Sequence, residues 1–355
     1  MDQRPRLADV ATRAGVSTAS VSLVLRGEPG PSAETRERVL AAATELGYRA
    51  DRTASLLARR RRHLLGVMLD VRNPFHAELV EELHAAADKA GYEVVLSTLT
   101  RDRDEDRAIE TLLDFRCEAL ILLGPDASEE TLDRLAAQVP CVVVGRTVGT
   151  AQVDVVRPSD DVGVDAALLH LIGLGHERIA FVDGGNGAVA AIRRRGYRRA
   201  MRRAGLVPQI VSGDHTEEGG VRAGRRLLAG RDAGRDAGRD AGRDAGHETR
   251  REAGHDLPTA VMASNDRLAI GVMDSLIRAG VDVPGRVSLV GYDDSILARL
   301  GHIDLTSVNQ DAPAQARNAV MAAVSRLDDG RTARYEAVLV PHLVVRGSTA
   351  PPFSS

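Results

Sequence analysis

The segment that most constrains this chain runs from Leu7 to Arg62. Leu7, Val10, Ala11 and Ala14 recur at i, i+3, i+4 and i+7, which marks one face of a helix. Gly15 can take the left-handed conformation that ends such a helix and turns the chain. Ser17 is placed to cap a second helix. In that helix Val21, Val24 and Leu25 point inward, and Thr18, Ala19, Ser22 and Arg26 lie nearer the outer face. A third helix is expected from about Ser32 to Leu46, with Val39, Leu40, Ala43 and Leu46 as its apolar stripe and Gly47 as its stop. An Ala/Leu stretch then ends in Arg59-Arg60-Arg61-Arg62. This order suits a helix-turn-helix that enters the major groove of DNA. A plain three-helix bundle with a solvated polar face has the same spacing.

Charge separates this head from the rest. Residues 1–63 carry twelve arginines against seven acidic side chains, a net +5, which leaves −8 on the remainder of a chain whose formal charge is −3. A basic head on an acidic body fits binding to a polyanion at one end only. The 355 residues suffice for two or three domains. Cys117 and Cys141 sit in or beside apolar runs and are expected to be buried free thiols, with neither a metal nor a disulfide framework. The N-terminus carries no apolar signal segment and no apolar run reaches eighteen residues, so a soluble cytoplasmic protein with no membrane partner is expected.

From His63 onward short apolar runs alternate with helical stretches. The runs include 64–69, 93–96, 119–123, 141–144, 179–182, 260–263 and 287–290; the helical stretches include 77–90, 166–174, 188–204 and 268–279. This alternation predicts parallel sheets covered by helices. Such a length is large for one sheet, so two α/β lobes with a ligand cleft between them are expected. One segment breaks the pattern: Arg231-Asp232-Ala233-Gly234 recurs four times, through Gly246. Each copy carries a helix-disfavouring glycine, opposite charges and nothing apolar larger than alanine. It is read as a mobile, solvated insert at about 231–246; a weak helix held by Asp–Arg pairs is the alternative.

These motifs resemble the LacI/GalR family of bacterial transcription regulators along nearly the whole chain. The head carries "LADVATRAGVSTASVSLVLRG", "SAETRERVLAAATELGY" and the hinge-like "DRTASLLARR"; the body carries "NPFHAELVEEL", "HLIGLGHERIAFV", "RRRGYRRAM", "ASNDRLAIGVM", "VSLVGYDDS" and "PHLVVRGST" in that order. The resemblance implies an all-α helix-turn-helix head and a two-lobed α/β body like that of periplasmic sugar-binding proteins. The domains are then 1–50 for the DNA-binding head, 51–62 for a hinge helix and linker, and 63–355 for effector binding and dimerisation. It also implies a homodimer on a pseudo-palindromic operator of double-stranded DNA, controlled by a small polar effector, with a sugar as first guess. No cofactor is implied. Repression is the family default.

Site residues follow by position. The resemblance places Thr18 and Ala19 at the start of the recognition helix, where the family reads base edges; Arg26 brings a guanidinium a turn after Leu23. Ser17, Ser20, Ser22, Ser32 and Thr35 suit hydroxyl–phosphate contacts and Tyr48 a further backbone contact. Leu57, with Ala54 beside it, matches the hinge leucine that wedges into the minor groove. Two departures stand out: Leu23 and Arg26 replace the usual Arg and Asn, and a leucine cannot donate to a guanine edge. Asp51 also stands where Asn is common. For the effector, Phe75 and His76 are expected in the loop after the first body strand. Arg193, Asn265, Asp293 and Gln310 match polar groups on the cleft. A planar arginine with an Asn and an Asp suits a hydroxyl-rich ligand. His215 occupies the place after Gly-Asp where relatives often stack an aromatic ring on a sugar, and the chain has no Trp.

Two other classes compete. A solute-binding protein without a regulatory role conflicts with the head and with the missing export signal. An enzyme would need a nucleophile–base pair, metal-ligand spacing or a phosphate loop with its lysine, none of which the sequence offers. Gly184-Gly185-Asn186-Gly187 reads as a strand-to-helix turn. The chain ends soon after its last motif without a heptad repeat, so a dimer rather than a tetramer is expected.

Overall fold

The computed structural model describes residues 5–25, 27–48, 61–240 and 257–353. The chain divides into two compact units, Met1–Arg62 and His63–Ser355.

The first unit holds α1 (Leu7–Ala14), α2 (Thr18–Leu25) and α3 (Ala33–Glu45). Asp9 takes the Arg6 N–H at 2.7 Å and opens α1; Gly15, with φ 65°, closes it. That left-handed residue redirects the chain within three residues into α2, a turn a β-carbon would strain. Val10, Ala11, Ala14, Val21, Val24, Val39, Ala42 and Ala43 form the core, with Leu7, Val16, Leu25, Leu46 and Tyr48 against it. Leu40 departs from expectation and is 49% exposed. Counting i+3 and i+4 from Val39 selects Ala42 and Ala43, so Leu40 lies about 100° off the stripe.

The second unit contains two six-stranded sheets. In chain order its elements begin with β1 (Leu64–Asp70), α4 (Pro74–Lys89), β2 (Glu93–Leu99), α5 (Glu105–Asp114), β3 (Ala119–Leu123), α6 (Glu129–Ala136), β4 (Cys141–Val144) and β5 (Asp154–Pro158). There follow α7 (Asp160–Gly173), β6 (Ile179–Val182), α8 (Ala188–Arg203), β7 (Gln209–Val211), α9 (Glu217–Asp240), β8 (Ala260–Ala263), α10 (Asp266–Arg278) and β9 (Ser288–Asp293). The last are β10 (Thr306–Asn309), α11 (Ala312–Asp328), β11 (Glu336–Leu339) and β12 (His342–Val344). The strand orders are β11-β5-β4-β3-β1-β2 and β12-β10-β9-β8-β6-β7, parallel except for the β10–β12 pair. The chain therefore crosses between lobes after β5, after β10 and after β11.

Burial explains the strands. Leu64, Leu65, Val67, Met68 and Leu69 of β1 are all buried, as a parallel strand covered on both faces requires. Phe75, Leu79, Leu83 and Ala87 of α4 share one core with Ala312, Ala316, Ala319 and Val320 of α11. In the second lobe α9 and α10 cover one face and α7 and α8 the other. Helices α9 and α10 touch through glycines: a β-carbon on Gly271 would sit 2.0 Å from the Glu217 carbonyl oxygen. Among the described residues no helix is long and apolar enough to cross a membrane.

Two further expectations need correction. Phe75 and His76 are not in a loop but in the first turn of α4, because Pro74 at the helix start is pre-set for helical φ and Asn73 caps the helix through the Phe75 N–H. The repeat does not begin as irregular insert: residues 231–240 continue α9. Nucleating a helix is costly and extending one is cheap, so a helix already seated on α10 carries weak formers along. Residues 241–246 lie outside the described residues.

Asp154, at the start of β5, is fully buried. It accepts from Arg326 Nε and Nη2 at 2.7 Å each, from Arg331 Nη2 at 2.6 Å and from the Tyr335 N–H at 2.8 Å. Burial alone would raise its pKa, but these arginine bonds hold it below the usual carboxylate value. Removing one member of such a cluster strands the others. Asp154→Asn should lower the unfolding free energy of the body by about 3–5 kcal/mol in urea titration; a loss under about 1 kcal/mol would show that the cluster is dispensable.

Candidate functional site

Two sites emerge, one in each unit. In the head, Ser17 Oγ accepts the Ser20 N–H at 3.1 Å and Ser32 Oγ accepts the Thr35 N–H at 3.2 Å, so each serine caps a helix. Ser17, Thr18, Ala19 and Ser32 are exposed, and Ser20, Ser22, Thr35 and Tyr48 are half-buried. Helix starts favour anions; the Ser32 hydroxyl donates to Thr35 Oγ1 at 3.0 Å, and Ser17 and Ser20 share a hydroxyl–hydroxyl bond at 3.0 Å. Arg38 of α3 donates to the Ala14 and Gly15 carbonyls and ties the end of α1 to α3. Arg26, Ala54 and Leu57 lie outside the described residues.

In the body, a cavity of about 410 Å³ opens between the lobes, at the C-terminal ends of both sets of parallel strands. This is where open α/β sheets place ligands. Phe75, His76, Arg193, Asn265, Asp293 and Gln310 all line it. Sequence reading missed Asp70, Arg72, Asp126, Arg146 and Gln315, which line it too. A simple signal was available: Asp70 closes β1, Asp126 follows β3 and Arg146 follows β4, each the first charged residue after an apolar run. His215, noted only for the ring it lacks, also faces the cavity.

Arg193 is the node of the second-lobe wall. It is 4% exposed and lies in α8. Its Nε donates to Asp160 Oδ1 at 2.8 Å, and its Nη1 donates to the Ser264 carbonyl at 2.5 Å and lies 3.8 Å from Asp293 Oδ1. Its guanidinium stands 3.5 Å from the centre of the Tyr292 ring. Gln310 Nε2 donates to Asp293 Oδ1 at 2.6 Å, and Gln315 Nε2 donates to the Gln310 carbonyl at 2.8 Å. Burial pushes the Asp293 pKa up and the neighbouring Asp266 adds to this, while Arg193 and Gln310 oppose it. Asn265 caps α10 through the Leu268 N–H at 2.9 Å, so one end of its amide is already committed.

Part of the first-lobe wall is internally paired. Asp70 holds Arg72 at 3.0 Å. His76 Nδ1 accepts the Asp70 N–H at 3.1 Å. Glu105 takes the Asp126 and Ala127 amides at 2.6 and 2.8 Å and so shapes the loop that presents Asp126. Burial lowers His76 to about 4 and, with Arg193 nearby, lowers His215 to about 4, so both imidazoles are uncharged at neutral pH. With His215 facing it from the second lobe, this wall offers neutral donors and acceptors beside the charged Asp126 and Arg146. Among the described residues no group of His, Cys, Asp or Glu is arranged to hold a metal.

A helix-turn-helix unit and a two-lobed body of periplasmic-binding-protein type in one chain define a class, the transcription regulators with a ligand-binding body. Residues 6–51 match the profile of bacterial regulatory proteins of the lacI family. Residues 62–230 match that of periplasmic binding proteins and the sugar-binding domain of the LacI family, and 168–349 a periplasmic binding protein-like domain. The transcriptional regulator MalR of Streptomyces coelicolor is 34% identical over 361 residues, covering 97% of this chain and 96% of its own. The ribose operon repressor of Escherichia coli is 32% identical over 350 residues, covering 96% and 98%. The lac repressor dimer bound to operator and an anti-inducer superposes with a TM-score of 0.79 at 27% identity, covering 98% of this chain and all of that one. The chain belongs to the LacI family of bacterial regulatory proteins: it is a DNA-binding transcriptional regulator and not an enzyme.

The histidines give a pH test. The unfolded chain takes up a proton on His76 near 6.5, which the folded chain refuses until about 4. This group therefore withdraws stability as pH falls through that window. His215 acts in the same sense, while Asp266, raised to about 6, acts oppositely below that pH. Comparing variants isolates one group. Between pH 7 and 5 the wild type should lose about 1–2 kcal/mol more stability than His76→Asn. Parallel stability–pH curves would mean that His76 titrates normally in the fold.

Proposed function

We propose that this chain is a homodimeric repressor that binds a pseudo-palindromic operator and is controlled by a small, uncharged, hydroxyl-rich metabolite in the interlobe cavity. The observation that carries this reading is the cavity wall itself. Arg193, Asp293, Gln310 and Asn265 converge from one lobe and its crossover, and Phe75 and His76 come from the other. Guanidinium, carboxylate, amide and neutral imidazole together satisfy hydroxyls, which both donate and accept. Phe75 supplies an apolar ring for the C–H face of a sugar. The ribose operon repressor and the operator-bound lac repressor dimer support a sugar and a dimer by relationship. A helix-turn-helix dimer reads two half-sites, which is why its operators are palindromic. Such a regulator works in the cytoplasm, where the DNA is.

The test is selection of bound duplexes from genomic DNA, followed by a metabolite screen for release. Selected sites should be pseudo-palindromic, and the releasing compound should be a neutral polyol or sugar. Sites without dyad symmetry would overturn the dimer reading.

The cavity assignment predicts that Asp293→Asn shifts the effector concentration needed for half-release by at least tenfold, about 1.4 kcal/mol. Operator affinity should stay within about twofold. Arg193→Ala is a poorer probe, because it leaves Asp160 buried without its cation. An unchanged half-release concentration in Asp293→Asn removes that residue from the site.

For the hinge, Leu57→Ala should weaken operator binding at least tenfold and leave random duplex within about twofold, because a wedge acts only on ordered, kinked DNA. The salt slope should hold, since no charge is lost. Equal losses on both duplexes in a filter-binding titration would make Leu57 a folding residue instead.

A further inference from the structure

Outside the three crossovers, Glu78 joins the lobes of the body directly. It projects from α4 in the first lobe and meets the turn after β9 in the second. Its Oε1 accepts the Ile296 N–H at 2.6 Å, and its Oε2 accepts from Arg299 Nη2 at 3.1 Å. The Glu78 side chain is 22% exposed and that of Arg299 48%. An ion pair that open contributes little by attraction alone. The amide bond is different in kind: a charge-assisted bond to backbone fixes the position of the turn.

That turn is held in a costly form. Asp293 has φ 118° and Asp294 φ 50°, two consecutive non-glycine residues on the left-handed side. The next three amides go to three different acceptors. The Asp294 N–H reaches Ser307 Oγ at 3.0 Å, the Ser295 N–H reaches Asp266 Oδ2 at 2.7 Å, and the Ile296 N–H reaches Glu78. Ser307 and Asp266 belong to the same lobe as the turn; Glu78 belongs to the other. Arg299 also donates to the Asp294 carbonyl at 2.6 Å, which closes the turn on itself. One short stretch of backbone therefore has a cavity-lining carboxylate at its start and the other lobe at its end.

We infer that Glu78 is an interlobe latch, a positioning residue that sets how strongly ligand in the cavity is felt by the arrangement of the lobes. Separation of the lobes withdraws the Glu78 carboxylate, leaves the Ile296 amide to water and lets the 293–299 turn relax. A ligand that engages Asp293 biases the same turn from its other end. Both influences act on one two-state element, which is the physical requirement for coupling. This inference rests on the ligand-binding reading of the cavity.

The experiment uses the full chain with spin labels at Arg101→Cys and Glu218→Cys, exposed residues on opposite lobes. Cys117 and Cys141 are buried, with thiols raised to about 11 and about 12, so the label passes them by. With labelled chains diluted in an excess of unlabelled chain, so that each dimer carries one labelled protomer, double electron–electron resonance should give one narrow distance population in the unsubstituted background. Glu78→Ala should add a second, longer population; Glu78→Gln, which can still accept the Ile296 amide, should give less of it. Affinity for the duplex that the protein selects from a random library should change at least threefold in Glu78→Ala, with an unchanged far-ultraviolet spectrum. Identical distance distributions in all three proteins overturn the latch. A new distance population with unchanged duplex affinity overturns its regulatory role. If the unsubstituted chain selects no duplex, the regulator reading falls and the coupling claim with it, while the label distances still decide whether Glu78 latches the lobes.

Discussion

The body depends on one buried cation. Arg193 ties Asp160, at the first crossover, to the Ser264 carbonyl after β8 and to the approach of Asp293 at the end of β9. Removing a guanidinium from water is costly unless it is paired and hydrogen-bonded; here Asp160 and the Ser264 carbonyl accept from it and the Asp293 carboxyl stands 3.8 Å away. The Tyr292 ring beneath it supplies a further attraction and keeps water from one face. The second-lobe wall of the cavity is consequently rigid before anything binds, which lowers the ordering cost of recognition. The same bonds explain why Arg193 is at once structural and cavity-lining.

The division between the two walls has a physical logic. The second-lobe wall is a pre-built network anchored on strand ends. The first-lobe wall joins Asp70 to Arg72, His76 to the Asp70 amide and Glu105 to two loop amides, beside the charged Asp126 and Arg146.

Much of this was legible in the sequence, for identifiable reasons. Long apolar runs such as Leu64–Leu69 report buried parallel strands directly, and the order of motifs placed Arg193, Asn265 and Asp293 around one cleft, the last two at strand ends. Short elements were not legible. β7 and β12 span three residues each, and their pairing is set by neighbours rather than by local pattern. Asp126 and Arg146 read as ordinary surface charges until the sheet brings their loops together. Leu40 misled because hydrophobicity alone does not fix phase on a helix. His76 reads as loop by its place after an apolar run, but Asn73 and Pro74 start the helix ahead of it. The serines of the head carried two signals, capping and phosphate binding, and spacing could not separate them.

The continuation of α9 into the repeat has a consequence for how such a segment changes over generations. A four-residue unit advances a helix by about 6 Å and turns it by about 40° beyond a full revolution. Gain or loss of one unit in the stretch that continues α9 therefore slides the end of a rod along its own axis, while the portion seated on α10 keeps its phase. Repetitive coding sequence is prone to slip by whole units. Within residues 231–240, a period so close to one helical turn converts each slip into a change of reach, with the packed lobe behind it undisturbed.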